Sequence, residues 1–119
     1  YQEWLRVLKK GGKLLNYDAN WYHHLFDEEK RKEYEEDRKR VESLHMEDHY
    51  TCTDIDAMED IARKVPLSRI NRPLWDKALL EDLDCSKVEI EEDVWKRVWS
   101  REERANYYST PMFLVEGEK

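Results

Sequence analysis

The residues best suited to chemistry fall in a few short stretches. Asp18, Asn20, Trp21 and Tyr22 set a carboxylate, an amide and two aromatic rings directly after residues 13–19, an apolar segment that reads as a strand. In open α/β sheets ligands bind beyond the carboxyl ends of the strands, so this group is placed to hold a substrate. The plainer alternative is a turn at Asn20 with Trp21 and Tyr22 packing under neighbouring helices. Arg69 and Arg72, flanking Asn71, could grip a carboxylate or phosphate substrate, or could instead cap a helix and pair with Asp76. His45 and His49 stand four apart with Cys52 three residues on, a spacing that can chelate zinc from a helix. The acids between them occupy the third and fourth positions, so this is not HExxH, and the stretch lies at a predicted helix end. No metal site is assigned there, nor at His23 and His24, whose adjacent side chains diverge. Cys52 and Cys85 lack any local base and read as unreactive.

These groups must be held by regular elements. Tyr1, Trp4, Leu5 and Leu8 recur at helical spacing over residues 1–9, and Gly11 and Gly12 offer the turn into the strand. Residues 27–46 read as a long charged helix with Asp27 as cap and a thin apolar stripe of Phe26, Tyr34, Val41 and Leu44. Residues 53–64 suggest a second helix, opened by Thr53 and Asp56 in a capping-box spacing, with Ile55, Met58, Ile61, Ala62 and Val65 on one face. A third starts at residues 71–73 and buries Trp75, Leu79 and Leu83, with Pro73 in its first turn. Residues 87–92 alternate as a half-exposed strand, and Ser100 with Glu103 forms a capping box for a short helix to about Tyr107. Trp95 and Trp99, with Val94 and Val98, read as a core stripe. Residues 111–117 read as a buried last strand.

Composition narrows the function. The chain has 119 residues, 28 acidic against 21 basic, for a net charge of −7. That balance disfavours nucleic acid as the main partner. Leu, Ile, Val and Phe total only 25 residues, but five Trp and seven Tyr add large buried rings. No apolar run approaches a membrane span. Two cysteines without a CxxC point to free thiols in a reducing cytoplasm.

Residues 4–21, WLRVLKKGGKLLNYDANW, resemble the helix, Gly-Gly turn and fifth strand of class I S-adenosylmethionine-dependent methyltransferases. Residues 72–92 look like that family's last crossover helix and sixth strand, and residues 109–119 like its seventh, antiparallel strand. The resemblance implies a fold class of α/β, or α+β for this segment alone: the C-terminal half of a Rossmann-like sheet with strands at about 13–19, 87–92 and 111–117. It implies one incomplete domain over residues 1–119. Within it, residues 1–22 form the helix-turn-strand unit, 23–70 an inserted helical cap, and 71–119 the crossover helix and last two strands. The family holds its cofactor on a glycine-rich turn after the first strand; with three glycines and no GxG, no cofactor-binding residue is expected here. S-adenosylmethionine would serve the full-length parent, a small molecule would accept the methyl group, and the fragment itself would be inactive. Asp18 is the first candidate base and His23 the second, with Asn20, Trp21, Tyr22, Arg69 and Arg72 near the substrate. In the family the fifth strand pairs with the fourth and the seventh. With no fourth strand, residues 13–19 expose an edge expected to drive self-association, as in a dimer. The competing readings are an acidic helical protein-interaction domain without catalysis and a metal-binding protein built on His45 and His49.

Overall fold

The computed structural model describes all of residues 1–119. It is a mixed helix and sheet structure of six α-helices and one three-stranded sheet: α1 (Gln2–Val7), β1 (Lys13–Asp18), α2 (Glu28–Ser43), α3 (Ile55–Lys64), α4 (Leu74–Asp82), β2 (Lys87–Glu91), α5 (Trp95–Val98), α6 (Arg101–Tyr107) and β3 (Phe113–Glu118). Short 3-10 turns occupy His23–Leu25 and Pro66–Arg69. The chain forms two compact units. The first gathers residues 1–19, 71–97 and 112–119, and the second residues 20–70 and 98–111. The second unit therefore holds residues 98–111 as well as the whole of the segment read as an inserted cap, residues 23–70. No helix is long and apolar enough to cross a membrane.

In the first unit β3 lies between β1 and β2 and runs antiparallel to both, so β1 and β2 are parallel to each other. Parallel strands need a crossover, and the chain between them includes α4. The register pairs Leu14 with Gly117 and Asp18 with Phe113. Alternation places Leu14, Phe113 and Val115 on the covered face with Leu5 and Leu80, and these five make the core. Complete burial of Leu80 contributes about 2 kcal/mol. A side chain at Gly117 would come within 3.3 Å of Leu80 Cδ1 and 3.4 Å of Leu14 Cγ, which explains a glycine inside a strand. The opposite face is bare at Leu15 and Tyr17, both exposed. Burial along β3 thus alternates, where the apolar run suggested a strand covered on both sides. The strand itself starts at Phe113, two residues after Pro111, which has no N–H for a ladder.

Two local surprises have simple causes. The C-terminal carbonyls of α1 are satisfied by Lys119, whose Nζ donates to Leu5 O at 2.6 Å and Leu8 O at 2.9 Å, while Gly11 takes the left-handed turn at φ 79°. The buried stripe of α4 is Asp76 and Leu80, one position round from Trp75, Leu79 and Leu83, which are half-buried. Apolar periodicity could not find it because one of its members is a carboxylate.

In the second unit α2 is capped by Asp27, which accepts from Lys30 N at 2.9 Å, and it buries Val41 and Asp37. The capping box of α6 forms with both reciprocal bonds. For α3 the cap is Asp54, accepting from Ala57 N at 3.1 Å, rather than Thr53. Only Ala62 of its apolar face is buried; Met58, Ile61 and Val65 are exposed. The tryptophan stripe is divided: Val94, in the first unit, and Trp99, in the second, are buried, and Val98 is exposed.

Candidate functional site

The carboxyl end of β1 carries a buried charge network within the first unit. Arg72 is held against Asp76, Nε donating to Oδ2 at 3.0 Å and Nη2 to Oδ1 at 2.7 Å. Its Nη1 donates to Asp18 Oδ2, and its guanidinium lies 5.4 Å from the Phe113 ring centre. Asp76 is completely buried and also accepts from the Tyr1 hydroxyl, which in turn accepts from Asn16 Nδ2 at 2.9 Å. This gives Asn16, a polar residue inside a strand, its reason. Burial works against the Arg72 charge, but hydrogen bonds to Asp76 and Asp18 outweigh it and raise the guanidinium above its ordinary range. Burial, reinforced by Asp76, pushes the Tyr1 phenol up to about 12. The network is fully paired, as a buried carboxylate requires. Arg72 is thus engaged by two acids, and Asp18 by Arg72 and by the Ala19 N–H at 2.9 Å.

The second unit holds an aromatic cluster drawn from distant parts of the chain. Trp21 meets Tyr107 edge-on with centroids 5.4 Å apart, and Tyr22 meets Tyr50 at 6.0 Å. Tyr22 is left-handed at φ 61°, an uncommon conformation for a residue with a Cβ. Tyr50 also touches Tyr34 at 5.1 Å, and the Arg38 guanidinium sits 4.5 Å from the Tyr50 ring centre. Arg38 is anchored by Asp48 and by the Asn106 carbonyl. Burial raises the Tyr50 phenol well above its usual range.

His49 borders this cluster. Its Nδ1 lies 2.6 Å from the Tyr107 hydroxyl and its Nε2 2.9 Å from Glu102 Oε1. Asn106, fully buried, fixes the arrangement: Oδ1 accepts from His49 N at 2.9 Å, while Nδ2 donates to Glu47 O at 3.0 Å and Glu102 O at 3.2 Å. A carboxylate that orients an imidazole is the arrangement of a general base. Glu47, His49 and Glu102 also each offer one ligand atom within 4.8 Å of the others, three donors where a closed structural zinc site uses four. His45 is not among them. It lies beyond the end of α2 with φ 52°, so its spacing from His49 does not fall on a helical turn.

The other sequence candidates are placed as follows. Asn20 O accepts from His23 N at 3.3 Å in the turn ahead of Trp21. His23 is half-buried, whereas its neighbour His24 is buried and stacked on Tyr34 at 3.8 Å with the rings 5° from parallel. Arg69 donates to Arg63 O at 3.1 Å and lies 4.9 Å from the Phe26 ring centre. Cys52 and Cys85 are both free thiols. The pairing of Arg72 with Asp76 is the alternative the sequence offers, without its burial; Arg38, Tyr50 and Asn106 carry no sequence signal, and His24 is a sequence candidate only as a metal ligand.

His24 has a measurable consequence. Neither ring nitrogen has a hydrogen-bond partner, and Glu59 Oε1 remains 3.9 Å from Nε2. Burial, helped by Arg31 and Arg38, lowers its pKa to about 4. The unfolded chain, with an ordinary histidine, binds this proton first, so the contribution is complete above about pH 6.5 and is lost as pH falls toward 4. The expected loss is about 3 kcal/mol at the acid end. Urea unfolding between pH 7 and 4 checks it, and His24→Phe should flatten the slope in that window.

No family model, no curated protein and no solved structure matches the chain.

Proposed function

We propose that this chain is the substrate-side portion of a class I S-adenosylmethionine-dependent methyltransferase that acts on a small molecule. The observation that carries the reading is the last strand, β3, running antiparallel between β1 and β2, with β1 itself following α1 and the Gly11-Gly12 turn. Three further features support it. The outer edge of β1 is unpaired where the family has its fourth strand. Leu15 and Tyr17 leave apolar surface on a bare sheet face. The chain between β1 and β2 contains α4, as a crossover requires.

In this reading the cofactor is bound by residues outside this segment, and residues 1–119 alone are inactive. Asp18 is better suited to anchoring than to base catalysis, because protonating it would give up its ion pair with Arg72. His23 makes no oriented side-chain contact of the kind a base needs, whereas His49 is oriented by Glu102. We therefore assign the base, where the acceptor needs one, to His49 acting through the Tyr107 hydroxyl: Tyr107 takes the acceptor's proton as it passes its own to Nδ1, with Trp21 and Tyr22 shaping the aromatic surroundings. Methyl transfer is an in-line displacement, so positioning carries much of the catalysis. The test is methyl transfer by the full-length gene product and its His49→Gln variant. Activity that falls by about 100-fold or more with the substrate KM little changed supports the assignment; unchanged activity across the pH range contradicts it.

The free edge of β1 would pair with another strand, from the rest of the parent or from a second copy. Residues 1–119 are expected to self-associate in sedimentation, with β1 amides protected from exchange as concentration rises. A concentration-independent monomer with freely exchanging amides over residues 13–19 contradicts this.

One observation favours a second reading, a non-catalytic protein-interaction domain: Met58, Ile61 and Val65 form an exposed apolar strip on α3. Methyl transfer by the full-length product separates the two.

A further inference from the structure

An arginine-lined groove opens on the second unit between the facing sides of α2 and α6. Its volume is about 290 Å³, and it is lined by Arg40, Leu44, Arg101, Arg104, Ala105 and Tyr108. Residues 101, 104, 105 and 108 share one side of α6 by helical spacing, and residues 40 and 44 are one turn apart on α2. Three arginines line it in a chain of net charge −7, and no acidic residue is among the lining; Arg104 Nε also donates to Trp99 O at 3.5 Å.

Arg40 is set in place for recognition. Its Nη1 donates to Asp37 Oδ1 at 2.7 Å and to Ala105 O at 3.2 Å. Asp37 is itself buried, and its other oxygen accepts from Ser109 N at 2.9 Å, so the anchor is rigid. The guanidinium lies 5.4 Å from the Tyr108 ring centre, which fixes its plane further. The Nε and Nη2 donors of Arg40 have no protein partner, and Arg101 has none at all. A planar guanidinium with free donors matches an oxyanion with two or more oxygens. The rest of the groove is apolar or aromatic: Leu44 and Tyr108 are both exposed and could cover a flat organic body.

We propose that this groove binds a small planar phosphomonoester, the phosphate on Arg40, Arg101 and Arg104 and the planar body on Tyr108 and Leu44. The net negative charge of the chain disfavours a long polyanion, which would meet repulsion beyond the groove. The inference stands on the second unit alone and does not depend on the methyltransferase reading.

The test is a titration of the 119-residue chain, followed by amide and arginine side-chain NMR signals, with phenyl phosphate, inorganic phosphate and benzyl alcohol as separate probes. Phenyl phosphate should shift signals of Arg40, Arg101, Arg104 and Tyr108 and bind more tightly than either other probe. Arg101→Glu, at an exposed position, should weaken it by about tenfold or more. Tyr108→Ala should reduce phenyl phosphate to the affinity of inorganic phosphate. Shifts spread evenly over surface lysines and arginines, unchanged affinity in Arg101→Glu, or benzyl alcohol binding as well as phenyl phosphate would each overturn the proposal.

Discussion

Replacing Arg72 by Met should destabilise the first unit by about 3–5 kcal/mol, because it leaves a buried carboxylate without its countercharge. Asp76 is completely buried and takes three guanidinium contacts, so no solvent can replace what Arg72 provides. Urea unfolding followed through the amides of β1 and β3 measures the loss. A stability of about 5–15 kcal/mol is ordinary for a domain, so the midpoint should fall sharply. Two companion variants separate the causes. Asp18→Ala should cost much less, since Asp18 is partly exposed and leaves Arg72 still paired with Asp76. Arg72→Met combined with Asp76→Leu should recover much of the loss, because a buried ion pair replaced as a whole by apolar groups is often neutral. A single variant no worse than the double would contradict a buried, paired network.

The second large effect is expected at Asn106. Its side-chain amide serves three backbone groups, those of Glu47, His49 and Glu102, from a fully buried position. Asn106→Ala deletes all three bonds at once, and each group left without water or a replacement costs about 1–3 kcal/mol. Asn106→Asp keeps the size but turns the donor toward Glu47 O and Glu102 O into another acceptor, so it should be destabilising as well. The readout is amide exchange over residues 47–49 and α6. The same variants should loosen the pairing of His49 with Glu102, visible as altered imidazole signals, before any global unfolding. Unchanged exchange at those amides would mean that Asn106 does not organise the segment.

Some of this organisation was legible in the sequence. The turn at Gly11 and Gly12 between α1 and β1 follows from a residue that alone tolerates positive φ without strain, and the capping box at Ser100 follows from two polar side chains three residues apart. Such signals are local, and local chemistry decided both elements. The Arg72 network is different. Its link to Asp76 has helical spacing, but that spacing also describes any surface ion pair, and the link to Asp18 spans 54 residues. Nothing in the periodicity marks Asp76 as buried, so apolar spacing alone points to a stripe of α4 one position away from the real one. The aromatic cluster joins Tyr22, Tyr34, Tyr50 and Tyr107 from separate elements, and contacts of that kind leave no local pattern. His23 and His24 are chemically identical neighbours, and the packing of Tyr34, Tyr22 and Tyr50 decides that His24 is the one enclosed. For α3 the apolar face was readable, but its exposure was not, because a hydrophobic stripe states a preference for burial without naming what covers it.

The most direct test of the proposed function is calorimetric titration of S-adenosylmethionine into the full-length gene product and, separately, into residues 1–119. Saturable binding is expected from the full-length product, and no measurable heat from residues 1–119, which contain no glycine-rich cofactor loop. Tight binding by residues 1–119 alone, or no binding by the full-length product, would contradict the proposed function.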